Sequence, residues 1–507
     1  MRRIGVSSMA VRNLLLFLAL LAPLAAFGQT SPPAAAPASA PSARAAPPRV
    51  ADKTTEHRME LPGGPLAFHA LVSTHRISDD AGAAEADVVT TAFMLDGAAP
   101  GTRPVTFAIN GGPGAGSAWL NLLALGPWRV ALPQDGAPSP SASPALQPNA
   151  ETWLPFTDLV FIDPPGTGYS RLLSANDAVR RRIWSSNGEI PVLAGVMRRW
   201  LEANGRLASP KLLVGESYGG FRGPRLARAL VDQGAALGGM LLLSPLLDYN
   251  SRSFEWEPYF YLTRLPTMAA AQRGATSRDA LADVETYATG DYLQDFLRGM
   301  GDAEAVQRMS GRVAALTGLP PDLVLRRGGR VDWFTERRER EPGRIASAYD
   351  LTATGIDPLP TSQFIENPDA VTDALRPVLG SAVSGLYADW LGWRPEGALA
   401  PRYELLDGPA FRAWTYSTQQ QAAQSVSALR TALAFDPRLH VLIMHGLYDL
   451  VTPYYASKMI LDQLPPAIAG RARLLAVPGG HMFYTRDASR VRLRDEGEAL
   501  VRSAAAP

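Results

Sequence analysis

Short apolar runs, each closed by glycine or other turn residues, recur along most of this chain. Residues 66–78 and 87–95 predict an early pair of strands. Residues 104–109 then form an apolar run ending in Asn110-Gly111-Gly112-Pro113-Gly114, and 158–162 one ending in Asp163-Pro164-Pro165-Gly166-Thr167-Gly168. The run 211–214 leads into Gly215-Glu216-Ser217-Tyr218-Gly219, with a helical pattern over 221–232 behind it. Further strands are predicted at 240–243, 440–444 and 472–477. Unbroken apolar runs alternating with helical stretches predict an α/β fold: a mainly parallel sheet with helices on both faces. In such sheets functional groups collect in loops at the carboxyl ends of the strands, where the turn motifs above fall.

The rhythm changes between 249 and 412. Arg, Asp, Trp and Tyr become frequent, and segments such as 278–285 and 369–375 read as helices. Sheet-like runs return at His440, so 249–412 is expected to be a mainly helical cap inserted into one domain, with core parts 51–248 and 413–507 on either side. The start of the chain has another character. Arg2, Arg3 and Arg12 precede an apolar run beginning at Leu14, and Ala26 and Gly28 offer a small-residue cleavage point. Residues 1–28 are therefore expected to be a signal peptide, directing the chain to the periplasm or outside the cell. Residues 29–50, nearly all Ala, Pro and Ser, are expected to be a disordered linker. No later apolar run has the length of a membrane span.

Composition narrows the chemistry. With 507 residues, 46% of them hydrophobic, there is ample material for a large core. Forty-nine basic residues against 48 acidic ones give no charge excess that would favour nucleic acid. The absence of cysteine rules out disulfides, a thiol nucleophile and thiolate metal sites. No metal or other cofactor is expected.

Gly215-Glu216-Ser217-Tyr218-Gly219 fits the G-x-S-x-G turn, in which glycines permit a sharp bend from strand to helix and raise the serine hydroxyl. A serine nucleophile needs a base. Only His440, His445 and His481 follow it in the chain. His440 and His445 sit at the two ends of one strand on opposite faces, a pattern of structural histidines. His481, in Gly479-Gly480-His481 just past a strand, is placed to act. Asp449, just past the preceding strand and between serine and histidine in order, would orient the imidazole. An amide of the Asn110–Gly114 loop and the amide of Tyr218 are candidates for an oxyanion hole.

Together these loops resemble the serine carboxypeptidase family. The resemblance is carried by Asn110-Gly111-Gly112-Pro113-Gly114, Asp163-Pro164-Pro165-Gly166-Thr167-Gly168-Tyr169-Ser170, Gly215-Glu216-Ser217-Tyr218-Gly219-Gly220 and Gly480-His481-Met482. It implies a serine-type enzyme that removes C-terminal residues from peptides. It also implies that Asn110, Gly111 and Glu216 bind the substrate's terminal carboxylate and that the amides of Gly112 and Tyr218 form the oxyanion hole. The chain departs from the family at Ala108, where tryptophan is usual, at Ala115 for cysteine, and at Leu447, where one acid is lost. An esterase or acyltransferase on the same scaffold is the alternative, because an acyl-enzyme can be resolved by water or by another alcohol.

Overall fold

The computed structural model describes residues 47–506, except 100, 134–137, 250–255, 363–368, 396–401 and 417–422. The expected signal peptide and most of the expected linker lie outside the described residues.

Nine strands form the path of one large sheet: β1 Lys53–Leu61, β2 Gly64–Ser78, β3 Ala84–Leu95, β4 Val105–Ile109, β5 Asp158–Ile162, β6 Lys211–Glu216, β7 Gly239–Leu243, β8 His440–Gly446 and β9 Ala472–Val477. Their spatial order is β1-β2-β3-β5-β4-β6-β7-β8-β9. The first three pair antiparallel, β3 pairs antiparallel with β5, and every later neighbour is parallel. The predicted strand pair at 66–78 and 87–95 is β2 and β3, joined in register from Phe68–Leu95 to Ser78–Ala84.

Alternation within the parallel strands sends side chains to two separate cores. Leu213 and Leu242 join Val196 and Leu226 on one face. Val214 and Leu241 join Trp153 and Leu493 on the other. Because helices cover both faces, β6 and β7 are buried along their whole length, which is why they read as unbroken apolar runs. Two helices, α1 Glu189–Ala203 and α2 Tyr218–Asp232, pack together over the first of these faces. Trp200 of α1 meets Phe107 of β4 edge to face, with ring centroids 5.8 Å apart.

The chain between β7 and β8 is mainly helical and packs as two parts. Pro258–Arg273, Ala282–Thr289 and Ala303–Thr317 build a core of their own, which also takes in Leu447, Leu450 and Tyr454 from beyond β8. The helix Thr372–Gly385 instead buries Leu375, Leu379 and Val383 with Phe68 and Phe161 of the sheet. No described helix is long and apolar enough to cross a membrane.

Register decides where the loops emerge. Ile109 stands beside Gly215, Glu216 beside Leu243, Leu243 beside Met444, and Gly446 beside Val477. The strands β4, β6, β7, β8 and β9 therefore end along one edge, and the loops bearing Asn110, Ser217, Ser244, Asp449 and His481 leave from it.

Candidate active site

Ser217 sits between β6 and α2 at φ 57° and ψ −118°, outside the regions an L-residue ordinarily adopts. The turn is possible because glycines, Gly215 and Gly219, stand two residues to either side. A Cβ on Gly219 would lie 2.3 Å from the Ile109 carbonyl oxygen, so only hydrogen lets this turn rest on the end of β4.

Asp449 and His481 meet, with Asp449 Oδ2 2.7 Å from His481 Nδ1. The carboxylate is held from several sides. Its Oδ1 accepts from the amides of Val451 at 2.8 Å and Thr452 at 3.0 Å. The Thr452 hydroxyl lies 2.6 Å from Oδ2, 2.9 Å from the Ser244 carbonyl and 3.0 Å from His481 Nδ1. Ser244, itself at φ 42°, donates through Oγ to the His481 carbonyl at 2.8 Å. The His481 amide donates to the Tyr349 carbonyl at 2.5 Å. Hydrogen bonds at both the amide and the carbonyl of His481 fix its loop before any substrate arrives.

Asn110 and Glu216 also meet, both buried, with Asn110 Nδ2 donating to Glu216 Oε2 at 2.5 Å. Asn110 Oδ1 accepts from the Leu120 amide at 3.0 Å, which leaves the Nδ2 end turned toward the carboxyl. Burial, the largest effect, pushes Glu216 above the usual carboxylate range, and the Asn110 hydrogen bond and the nearby His481 oppose it. Tyr484 lies beside Glu216; burial and that carboxyl push its phenol well above its ordinary value.

These groups line one cavity of about 360 Å³. Asn110, Gly111, Gly112, Glu216, Ser217, Tyr218, Thr452 and His481 all face it. The segment between β7 and β8 supplies Tyr349, Thr372, Leu406, Asp407, Phe411 and Tyr416 to its wall. Asp449 stands behind His481, fully buried. His445 of β8, also buried, bonds Ser457 Oγ at 2.8 Å through Nε2, and burial depresses it to about 4. Among the described residues no group of three or more His, Cys, Asp or Glu could hold a metal ion.

Sequence reasoning missed Thr452, Ser244 and Tyr484. Thr452 had a usable signal, since a hydroxyl three residues past a loop aspartate commonly closes a turn on it. Ser244 and Tyr484 had none, because their partners come from distant loops.

A serine turn, an Asp–His pair and one aligned strand edge, carried on a mainly parallel sheet flanked by helices, define an α/β-hydrolase. Residues 92–287 match the family described as serine carboxypeptidase, a family of serine hydrolases. That stretch contains Asn110, Glu216 and Ser217. A pheromone-processing carboxypeptidase KEX1 of Puccinia graminis f. sp. tritici is 30% identical over 152 residues, which is 29% of this chain and 21% of that protein. Serine carboxypeptidase-like 51 of Arabidopsis thaliana is 26% identical over 191 residues, 36% of this chain and 37% of that protein. The chain thus spans well under half the length of these curated relatives. Among solved structures, esterase E22 is similar at 12% identity with a TM-score of 0.35, over 90% of this chain and 100% of that one.

Proposed function

We propose that this protein is a serine-type carboxypeptidase that hydrolyses the C-terminal peptide bond of peptides through an acyl-enzyme. The observation that carries the reading is the buried Asn110–Glu216 pair in the same cavity as Ser217 and His481. Hydrolysis of a simple ester does not require a carboxyl of raised pKa beside the nucleophile. A protease that reads a free C-terminus has a use for one, because a protonated Glu216 can donate to the substrate carboxylate while Asn110 Nδ2 and the Gly111 amide supply further donors.

In this scheme Ser217 Oγ attacks the scissile carbonyl and His481 takes its proton. Asp449 holds the imidazole in its tautomer and stabilises the imidazolium. The developing oxyanion is received by the amides of Gly112 and Tyr218. His481 then protonates the departing amine, and water resolves the acyl-enzyme by the reverse sequence.

The test is a panel of N-blocked dipeptides, their C-terminal amides and simple esters, assayed with wild type and Ser217→Ala. Preference for the free acids over the amides, lost in Ser217→Ala, is expected. Hydrolysis of esters with no cleavage of free-acid peptides would establish the esterase reading instead.

A further inference from the structure

Arg222 is fully buried on α2, five residues past Ser217. Its Nε donates to Glu189 Oε2 of α1 at 2.9 Å. Its Nη1 donates to the Asn110 carbonyl at 2.5 Å and reaches the Gly111 carbonyl at 3.4 Å. Its Cζ stands 4.6 Å from the centroid of the Tyr218 ring. One guanidinium therefore touches the loop after β4 and the residue that follows the nucleophile.

Those two carbonyls matter because of what shares their peptide planes. The Asn110 carbonyl belongs to the same rigid unit as the Gly111 N–H, and the Gly111 carbonyl to the same unit as the Gly112 N–H. In a trans peptide the carbonyl and the N–H point in opposite directions. A cation that draws the carbonyls into the interior turns the N–H groups outward, and the cavity wall there is made by Gly111 and Gly112. A positive charge on the oxygen also draws electron density through the amide, which strengthens the N–H as a donor. Glu189 keeps the guanidinium in place and balances its charge in a site that excludes water.

We propose that Arg222, held by Glu189, is a positioning residue that orients and polarises the Gly111 and Gly112 amides toward the substrate carboxylate and the oxyanion. The assignment rests on the roles given to those amides above. It adds a device behind the cavity that never touches substrate.

The test compares Arg222→Met, Arg222→Lys and Glu189→Gln with wild type, on a blocked dipeptide and on its methyl ester. Rates are expressed per active site, counted by the fraction finally labelled with a fluorophosphonate. Arg222→Met should lower kcat by about 10- to 100-fold on both substrates, somewhat less than the 10²–10³-fold lost when an oxyanion donor is removed outright. KM should rise for the dipeptide and stay near wild type for the ester, which lacks the carboxylate. Arg222→Lys, which keeps the charge, should recover part of the kcat. A kcat per labelled site within threefold of wild type, with only a lower melting temperature, would overturn the proposal and leave the pair as scaffold. If Arg222→Met does not fold, Glu189→Gln decides: at least a fivefold loss of kcat per site supports the proposal, and an unchanged kcat overturns it. Wild-type enzyme that cleaves the ester but no free-acid peptide would remove the carboxypeptidase reading, while the ester arm would still decide the role of Arg222.

Discussion

Gly111 rests against the serine turn so closely that a Cβ on it would lie 2.5 Å from the Tyr218 amide nitrogen and 2.6 Å from the Glu216 carbonyl oxygen. Both contacts are backbone, which cannot rotate away as a flexible side chain can. Gly111→Ala must therefore separate the two loops that supply the proposed oxyanion donors. A misplacement near 1 Å can cost about 100-fold in rate, and overpacking costs about 1–3 kcal/mol. We expect kcat per labelled site to fall by about 100-fold in a protein that still folds. Activity within threefold of wild type would show that the loops tolerate the separation.

Thr452 ties the acid to two other loops. Its hydroxyl touches Asp449 Oδ2 at 2.6 Å and the Ser244 carbonyl at 2.9 Å. Thr452→Val keeps the shape and removes the hydroxyl. Leaving buried partners short of a hydrogen bond costs about 1–3 kcal/mol, and a looser Asp449 orients the imidazole less well. The expected result is a kcat reduced by about 10-fold with KM little changed. Thr452→Ser should restore most of it. If Thr452→Ser is as impaired as Thr452→Val, the methyl group and not the hydroxyl carries the effect.

Asp163 stands at the end of β5 as a buried clasp. It accepts from the Ser117 amide at 2.7 Å and the Tyr403 hydroxyl at 2.8 Å. Burial raises its carboxyl to about 6, from 3.8 in an exposed chain. The folded state therefore holds the proton more tightly than the unfolded state, and the stability linked to this group falls as pH rises from about 4 to about 6. The whole window corresponds to about 3 kcal/mol. Denaturant unfolding at several pH values should show a shallower decline in Asp163→Asn than in wild type. Parallel curves would remove Asp163 as the source.

Much of this was legible before folding was considered, for a definite physical reason. Strands β4 to β8 are almost wholly buried on both faces, so each needs an unbroken apolar run, and each turns into a loop through glycine or a polar residue. β1 lacks that signature. It lies at the sheet edge with Lys53, Thr54, Glu56, Arg58 and Glu60 exposed, and only Met59 is buried, so its alternation was too faint to read. The helix after Ser217 begins at Tyr218, earlier than the predicted 221, because the strained serine lets the helix start at once despite the low propensity of Gly219 and Gly220. Ser217, Asp449 and His481 were singled out by their loops, and Asn110 and Glu216 by the family resemblance those loops carry. Arg222 was not, because a lone arginine on a helix reads as solvated until its partners Glu189 and Asn110 are brought around it.

The pH dependence of substrate binding follows from Glu216. Burial raises this carboxyl above the ordinary range, so it keeps its proton to higher pH than an exposed glutamate does. A bound C-terminal carboxylate beside an ionised Glu216 would place two negative charges at hydrogen-bond distance, and one of the two groups must then hold a proton. In the proposed carboxypeptidase the protonated form of Glu216 is thus the binding form. As pH rises through its pKa the form is lost and KM for free-acid peptides rises. His481 makes the opposite demand, since it must be neutral to accept the Ser217 proton, which favours higher pH. The two together predict a mildly acidic optimum for peptides, whereas esters and amides lack the terminal carboxylate and should tolerate higher pH. Glu216→Gln keeps a neutral hydrogen-bonding group that cannot ionise. It should flatten the rise in KM with pH while leaving kcat for an ester within about threefold of wild type. The measurement is KM against pH for one blocked dipeptide in both proteins. The same alkaline rise in each would show that Glu216 does not read the carboxylate.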